Sequence, residues 1–133
     1  MMEEALIEVL SDHAGLGSLV GTRINWVRRP DFRLLPAVTL TVISGERQET
    51  MGGRPDLIRS RVTADCWGRT YTEAKAVARA VTHALPAGVA DTGHARLQGI
   101  FIDSERDSFE GEDPTPLFRT IIDFIVWHER ATS

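Results

Sequence analysis

The sequence predicts an α+β fold: an antiparallel four-stranded sheet with two helices packed on one face and a long β-hairpin loop. Two segments have apolar residues at helical spacing, and four have the alternation or the β-branched content of strands. Their order along the chain is helix, strand, strand, helix, strand, strand, with one more short strand near Trp26. With 133 residues the chain can bury a core of its own, so we expect one domain over residues 1–133.

The first helix is predicted over residues 2–13. Its apolar side chains share one face, and Glu3 and Glu4 lie in the first turn, where the helix dipole favours acids. Gly15 and Gly17 are expected to end it, with room for one more turn before Gly21. Residues 24–28 are predicted to be a short extended piece.

Two strands, residues 37–44 and 57–67, are predicted to form a hairpin. The first is rich in β-branched residues. The second alternates between apolar residues such as Val62 and Ala64 and polar ones such as Arg59 and Arg61, so one face is expected to be buried. Residues 45–56, with three glycines and a proline, are predicted to be the long hairpin loop.

The second helix is predicted over residues 70–85. Thr70 and Glu73 have the spacing of a capping box, in which each side chain bonds the backbone N–H of the other. An apolar stripe follows, and Pro86 and Gly88 end the helix. Many alanines in this segment predict close packing on a sheet.

The last two strands are predicted over residues 97–103 and 117–128, joined by an acidic loop. The final strand is apolar on both faces. A central strand carries that pattern, and so does a strand covered by a neighbouring subunit.

Charge and composition exclude several classes of protein. The net charge of −4 argues against a general nucleic-acid binder. No apolar run approaches the length of a membrane span, so no membrane association is expected. Glu3 and Glu4 stand where a signal peptide carries positive charge. The single cysteine, Cys66, has no internal disulfide partner, which fits a reducing cytoplasm.

No catalytic constellation is evident. Cys66 is either a nucleophile activated by the following helix or a buried core thiol, and we expect the core thiol. The four histidines lack metal-ligand spacing, so surface or capping roles are expected. We therefore expect no catalytic residue, no metal and no cofactor.

The segment from Asp103 to Asp113 carries six acids and one base, a net charge of −5. On an extended backbone Asp103, Glu105 and Asp107 would share one face and favour a hard cation, but the glycine of a calcium loop is missing. A solvated acidic loop is the preferred interpretation. A second hypothesis is a loop that repels DNA phosphates and lines a channel; its acidic residues are Asp103, Glu105, Asp107, Glu110, Glu112 and Asp113.

The hairpin loop is also a candidate docking surface, because loops of this length are often functional. Together with the polar face of the following strand, it gives a predicted partner interface formed by Arg47, Met51, Arg54, Arg59 and Arg61.

The chain resembles the tail-completion or tail-terminator proteins of long-tailed phages and gene transfer agents. The likeness is distributed over the opening helix, Arg23-Ile-Asn-Trp26, Leu35-Pro36-Ala37-Val38, Ala64-Asp65-Cys66-Trp67 with Thr70-Tyr-Thr-Glu-Ala74, and Ile122-Asp-Phe-Ile-Val-Trp127. The resemblance implies a single tail-terminator-like domain over the whole chain. It also implies a homo-oligomeric ring, usually a hexamer, that caps the finished tail tube and ends its polymerisation.

The same resemblance implies partners and a location. The partners are further copies of the chain, the tail tube protein and a neck connector, or stopper, with DNA passing through the ring without specific binding. The location is the head–tail junction of a virion assembled in the host cytoplasm. Two alternatives stay open: a small ligand-binding or regulatory α+β module without catalytic activity, and an enzyme with Asp103 or Glu105 as a base.

Overall fold

The computed structural model describes residues 2–27, 35–47, 58–92, 95–110 and 117–130. These residues form three helices and six strands. In chain order they are α1 (Met2–Ser11), α2 (Ala14–Val20), β1 (Ile24–Trp26), β2 (Ala37–Arg47), β3 (Ile58–Gly68), α3 (Tyr71–Ala84), β4 (Ala90–Asp91), β5 (Ala95–Glu110) and β6 (Leu117–Arg130).

The strands form one mixed sheet in the order β1-β2-β3-β6-β5-β4, curled into a half-barrel. The predicted antiparallel four-stranded sheet with two helices is therefore wrong. β1 adds a parallel strand beside β2, where Val38 donates to the Arg23 carbonyl and Val27 donates to that of Leu40. β4 lengthens the other end beside β5. The short extended piece expected over residues 24–28 is confirmed by β1, whereas β4 has two residues and is too short to show a period in the sequence.

The four long strands occur where the sequence predicts them. β2 and β3 are antiparallel neighbours, with Leu40 opposite Ala64. β6 lies between β3 and β5, which confirms that its two apolar faces belong to a central strand. β2 continues through Gly45 to Arg47, so the predicted loop begins later than expected, and residues 48–57 lie outside the described part of the chain.

The main core lies between the helices and one face of the sheet. Leu6 and Leu10 of α1 and Val77 and Val81 of α3 are fully buried there against the sheet, including Phe124. A second, smaller buried cluster involves the other face and consists of Leu35, Ala37, Trp67 and Leu117. Both faces of the sheet therefore exclude water along part of their length.

The helix ends differ in detail from the prediction. Thr70 caps α3 by accepting a hydrogen bond from the Glu73 N–H at 3.1 Å, as expected. The Glu73 carboxylate, however, accepts from the N–H of Arg69 at 3.0 Å rather than from that of Thr70. Near the amino terminus, Gly15 and Gly17 lie within α2 because the His13 ring begins a new helix there, its Nδ1 accepting from the Leu16 N–H at 3.1 Å.

The predicted acidic loop is largely a strand. β5 extends seven residues past its expected end and pairs with β6 as far as Glu110, opposite Leu117. Its register shifts between Ile102 and Ser104, where a β-bulge accommodates Asp103. This half of β5 has no apolar face, so its sequence lacks the alternation that predicts a strand, and its charged residues indicated a loop.

Candidate functional site

Two of the predicted interface arginines lie on the sheet face opposite the helices. Arg59 and Arg61 alternate with buried residues of β3, and both are half-buried. The Arg61 guanidinium donates to the carboxylate of Asp103 on β5, and the Arg59 guanidinium lies 6.0 Å from the centre of the Trp127 ring. Each arginine thus has a partner within the chain, so its charge helps to hold this face of the sheet.

The other three predicted interface residues have no described side chain. Arg47 ends β2, with its backbone opposite Ile58. Met51 and Arg54 fall within residues 48–57, outside the described part of the chain. Their role in an interface stays a prediction.

An extended backbone was expected to place Asp103, Glu105 and Asp107 on one face of a strand, but they lie on two faces of β5. Asp103, at the bulge, bonds Arg61 on the face without helices. Glu105 and Asp107 point to α3, where Lys75 Nζ lies 3.8 Å from a Glu105 oxygen and 3.0 Å from Asp107. All three carboxylates are paired with bases. The expectation of a loop is wrong for them because they lie on β5, but their side chains stay well exposed to solvent.

The remaining members of the acidic segment lie at or beyond the end of β5. Glu110 closes the strand, and only its backbone is described. Glu112 and Asp113 fall within residues 111–116, outside the described ranges. A channel-lining role for the segment stays a prediction.

Asp107 is the centre of a polar contact between α3 and the sheet. It accepts hydrogen bonds from Lys75, from Thr120 at 3.0 Å and from the Tyr71 hydroxyl at 3.3 Å. The bond from Lys75 is the main reason that the pKa of Asp107 lies below its ordinary value, and the same bond raises the pKa of Lys75. The carboxylate is well exposed, so this group docks a helix and gives no sign of proton transfer.

A second carboxylate, Asp123, is buried on the opposite face. Its Oδ1 accepts from Thr63 at 2.7 Å, and its Oδ2 accepts from Ser104 at 2.9 Å and from Arg106. Burial alone would raise the pKa of Asp123, but the three hydrogen bonds outweigh it and hold that pKa below the usual carboxyl value. The sequence signal was present: Asp123 is an acid in the middle of the apolar run Ile121-Ile-Asp-Phe-Ile125.

A neighbouring group on the same face surrounds Trp67. The ring is buried beneath the Arg119 guanidinium at 5.1 Å, and its Nε1 donates to Thr39 at 3.2 Å. Arg119 also lies 3.9 Å from a carboxylate oxygen of Asp65. These contacts join β2, β3 and β6 across the sheet, so the polar groups here stabilise the scaffold.

The candidate nucleophile Cys66 and two of the histidines, His13 and His128, occupy positions that stabilise the fold. Cys66 is fully buried in the core, and burial raises the pKa of its thiol, so the reactive thiolate is disfavoured. His13 caps α2 as expected, whereas His128 is buried, with its Nε2 2.8 Å from the Ser60 hydroxyl. The surface or capping role expected for His128 is wrong. His94 lies outside the described residues.

An open hollow of about 350 Å³ lies beside α1, lined by Glu3, Glu4, Ile7, Glu8 and Trp26. The Trp26 indole already donates to the Glu3 carbonyl at 3.2 Å. Within the described ranges, no group of three or more potential metal-ligating side chains is found. None of the helices there is long and apolar enough to cross a membrane.

The pattern of paired charges and buried polar groups is that of a scaffold, and the sequence comparison agrees. A family model described as tail completion protein gp17 matches residues 4–129. The chain belongs to this tail completion family. It is a structural protein of a phage or phage-like virion tail, as its resemblance to such proteins predicted.

The fold of this tail completion protein also occurs in a solved particle. It is similar to a chain of the structure titled "Virion of native gene transfer agent (GTA) particle", with a TM-score of 0.68 and 18% sequence identity. The match covers 93% of this chain and 91% of that one. No curated protein matches the sequence.

Proposed function

We propose that the protein forms a ring that caps the finished tail tube, ends tube polymerisation and joins the tail to the neck. The observation that carries this proposal is the family match over residues 4–129, because tail completion is an assembly step that requires binding to other virion proteins. The structure supports a structural, non-enzymatic role. The charged groups described above are used as ion pairs and hydrogen bonds within the subunit.

The proposal includes the partners and the location. A ring of identical subunits, six as the resemblance implies, contacts the tail tube protein on one side and a neck connector on the other. It lies at the head–tail junction, and DNA passes through its centre without specific binding. The net charge of −4 supports passage over retention, since phosphate binding requires basic surfaces.

Tube length is the property that tests this function. When the tail tube protein polymerises with the purified chain present, we expect short tubes with the chain at one end, because a bound ring removes the growing surface. Electron microscopy gives both length and end occupancy. Val89→Lys, which changes an exposed residue between α3 and β4, serves as a control and should cap normally. Unlimited tube growth at saturating protein would refute the proposal.

A further inference from the structure

The sheet has two edges that no described strand covers over much of their length. On one side, β4 pairs with β5 only at Arg96 and Leu97, which leaves residues 98–110 open. On the other, β1 pairs with β2 only at residues 38–40, and no described strand covers residues 42–47. We call these the β5 edge and the β2 edge. An uncovered edge presents unpaired backbone N–H and C=O groups to another strand.

The two open edges lie at the same level of the sheet. Val42 is opposite Val62, which is opposite Phe124, which in turn is opposite Ile102. One row of residues therefore runs across β2, β3, β6 and β5, and at neither end does a strand of the described residues cover it. Val38 donates towards β1, and the Leu40 carbonyl accepts from Val27 beyond β1. Every second residue of a strand directs its backbone N–H and C=O to the same side, so Val42, like Val38 and Leu40, directs these groups away from β3.

Exposed apolar side chains are concentrated at this level. The exposed fractions are 38% for Val42 and 58% for Ile43 on the β2 edge, and 62% for Phe101 and 47% for Ile102 on the β5 edge. Soluble proteins usually protect such an edge with charged side chains. On the β5 edge, two nearby charges are engaged within the chain, since Asp103 bonds Arg61 and Arg106 bonds Asp123.

We propose that the β2 edge of one subunit pairs with the β5 edge of the next, so that the sheet continues from copy to copy. The occupant is a second copy of this chain because the two edges match in level, in apolar character and in open backbone groups. Two different surfaces in contact make a heterologous interface, which closes into a ring when the rotation per subunit permits. This inference rests on the proposed ring and specifies its subunit contact.

Single lysine substitutions block one edge at a time. Ile43→Lys blocks the β2 edge and leaves the β5 edge intact, and Phe101→Lys does the reverse. Each variant alone should stay monomeric at concentrations about tenfold above those at which the wild-type chain associates, as measured by light scattering. Mixed together, they should form a dimer that grows no further, because each has one intact edge for the other.

Cysteine cross-linking reports the same contact in the assembled state. A chain with Ile43→Cys and Phe101→Cys should give an oxidised ladder of covalent oligomers on capped tubes, while Cys66 is fully buried and does not compete. Val89→Lys, at a residue 55% exposed, is the matched lysine control and should associate like wild type. Circular dichroism shows whether each variant is folded.

The outcomes separate this inference from the ring itself. A wild-type ring with no cross-links and with normal assembly of both lysine variants would overturn the edge pairing and leave the ring intact. A chain that stays monomeric in solution and on the tube would overturn both. Cross-links to another tail protein instead of to a second copy would show that a different strand occupies the β5 edge, again contradicting the proposal.

Discussion

Asp123 illustrates how single residues hold the helix-free face of the sheet together. It is a buried acid on the central strand, and its three donors come from Thr63 on β3 and from Ser104 and Arg106 on β5. Hydrogen bonds to a charged acceptor are stronger than those between neutral groups. One carboxylate therefore fixes the register of three strands.

Removal of this charge should destabilise the fold. Asp123→Asn keeps the shape but loses the charge and turns one oxygen into a donor facing Ser104 or Arg106. We expect the free energy of unfolding to fall by about 2 kcal/mol, as measured by urea denaturation. Asp91→Asn, at an exposed position of β4, is the control and should change it little. Equal stability of the two variants would show that Asp123 is dispensable.

His128 should make stability depend on pH. Burial is the main cause that lowers its pKa from the ordinary 6.5, so the folded protein binds fewer protons than the unfolded chain once the pH falls below that value. The stability that depends on neutral His128 is therefore fully present above pH 6.5 and declines as the pH falls towards the folded pKa of this residue.

The test compares the wild type with His128→Gln, which retains a polar group near Ser60. Denaturation at a series of pH values from 7 down to about 5 should show a decline for the wild type and a flatter profile for the variant. His83→Gln, at an exposed residue of α3, should keep the wild-type slope. Parallel slopes for wild type and His128→Gln would assign the acid sensitivity to other groups.

Among the elements, the end of β3 and the start of α3 are packed unusually closely. A Cβ added at Gly68, the last residue of β3, would lie 2.6 Å from the backbone nitrogen of Ala74. The start of α3 crosses the end of the strand at a distance that only glycine permits. Gly17 differs, since an added Cβ there meets nothing within 4 Å and the residue lies within α2.

The same substitution should consequently have opposite effects at these two sites. Gly68→Ala should lower the free energy of unfolding by about 1–3 kcal/mol because the helix backbone must shift. Gly17→Ala should raise it by about 0.5–1 kcal/mol because alanine favours the helix. Urea denaturation of both variants measures the two changes. A neutral Gly68→Ala would mean that α3 can move away from the strand.

Long periodic segments account for the elements that the sequence predicts. α3 and the four long strands each repeat their pattern often enough to be recognised, and the capping residue Thr70 marks a boundary. β5 was predicted too short because Glu105 and Asp107 occupy positions that face α3 and look like loop residues. They are strand residues because Lys75, distant in sequence, supplies their partner.

The arrangement of the candidate residues depends on the whole molecule. The pairing of Arg61 with Asp103 requires the bulge and the neighbouring positions of β3, β6 and β5, none of which a local pattern encodes. The level of the two open edges is set by the pairing of β1 with β2 and of β4 with β5, which no local pattern encodes. Residue types thus indicated polar and acidic surfaces, but only the assembled sheet shows which charges are already neutralised.

The ion pairs of the acidic segment within β5 direct the test of DNA passage to its distal acids, Glu112 and Asp113. Asp103 is paired with Arg61, and Glu105 and Asp107 share Lys75, so two of their three negative charges are offset. If the segment lines the proposed channel, its distal acids carry the repulsion. Glu112→Lys combined with Asp113→Lys should then reduce DNA delivery severalfold, because the new cations bind passing phosphates.

The control is an equal change of charge elsewhere. Asp12→Lys combined with Asp91→Lys alters two exposed acids outside the segment and should leave delivery unchanged. Particles of both variants are first checked by electron microscopy for complete tails joined to heads, and DNA transfer is then counted per particle. If both pairs deliver DNA as well as wild type, the distal acids face the outside of the particle. A loss in the first pair alone assigns them to the path of the DNA, because assembly and total charge are then matched.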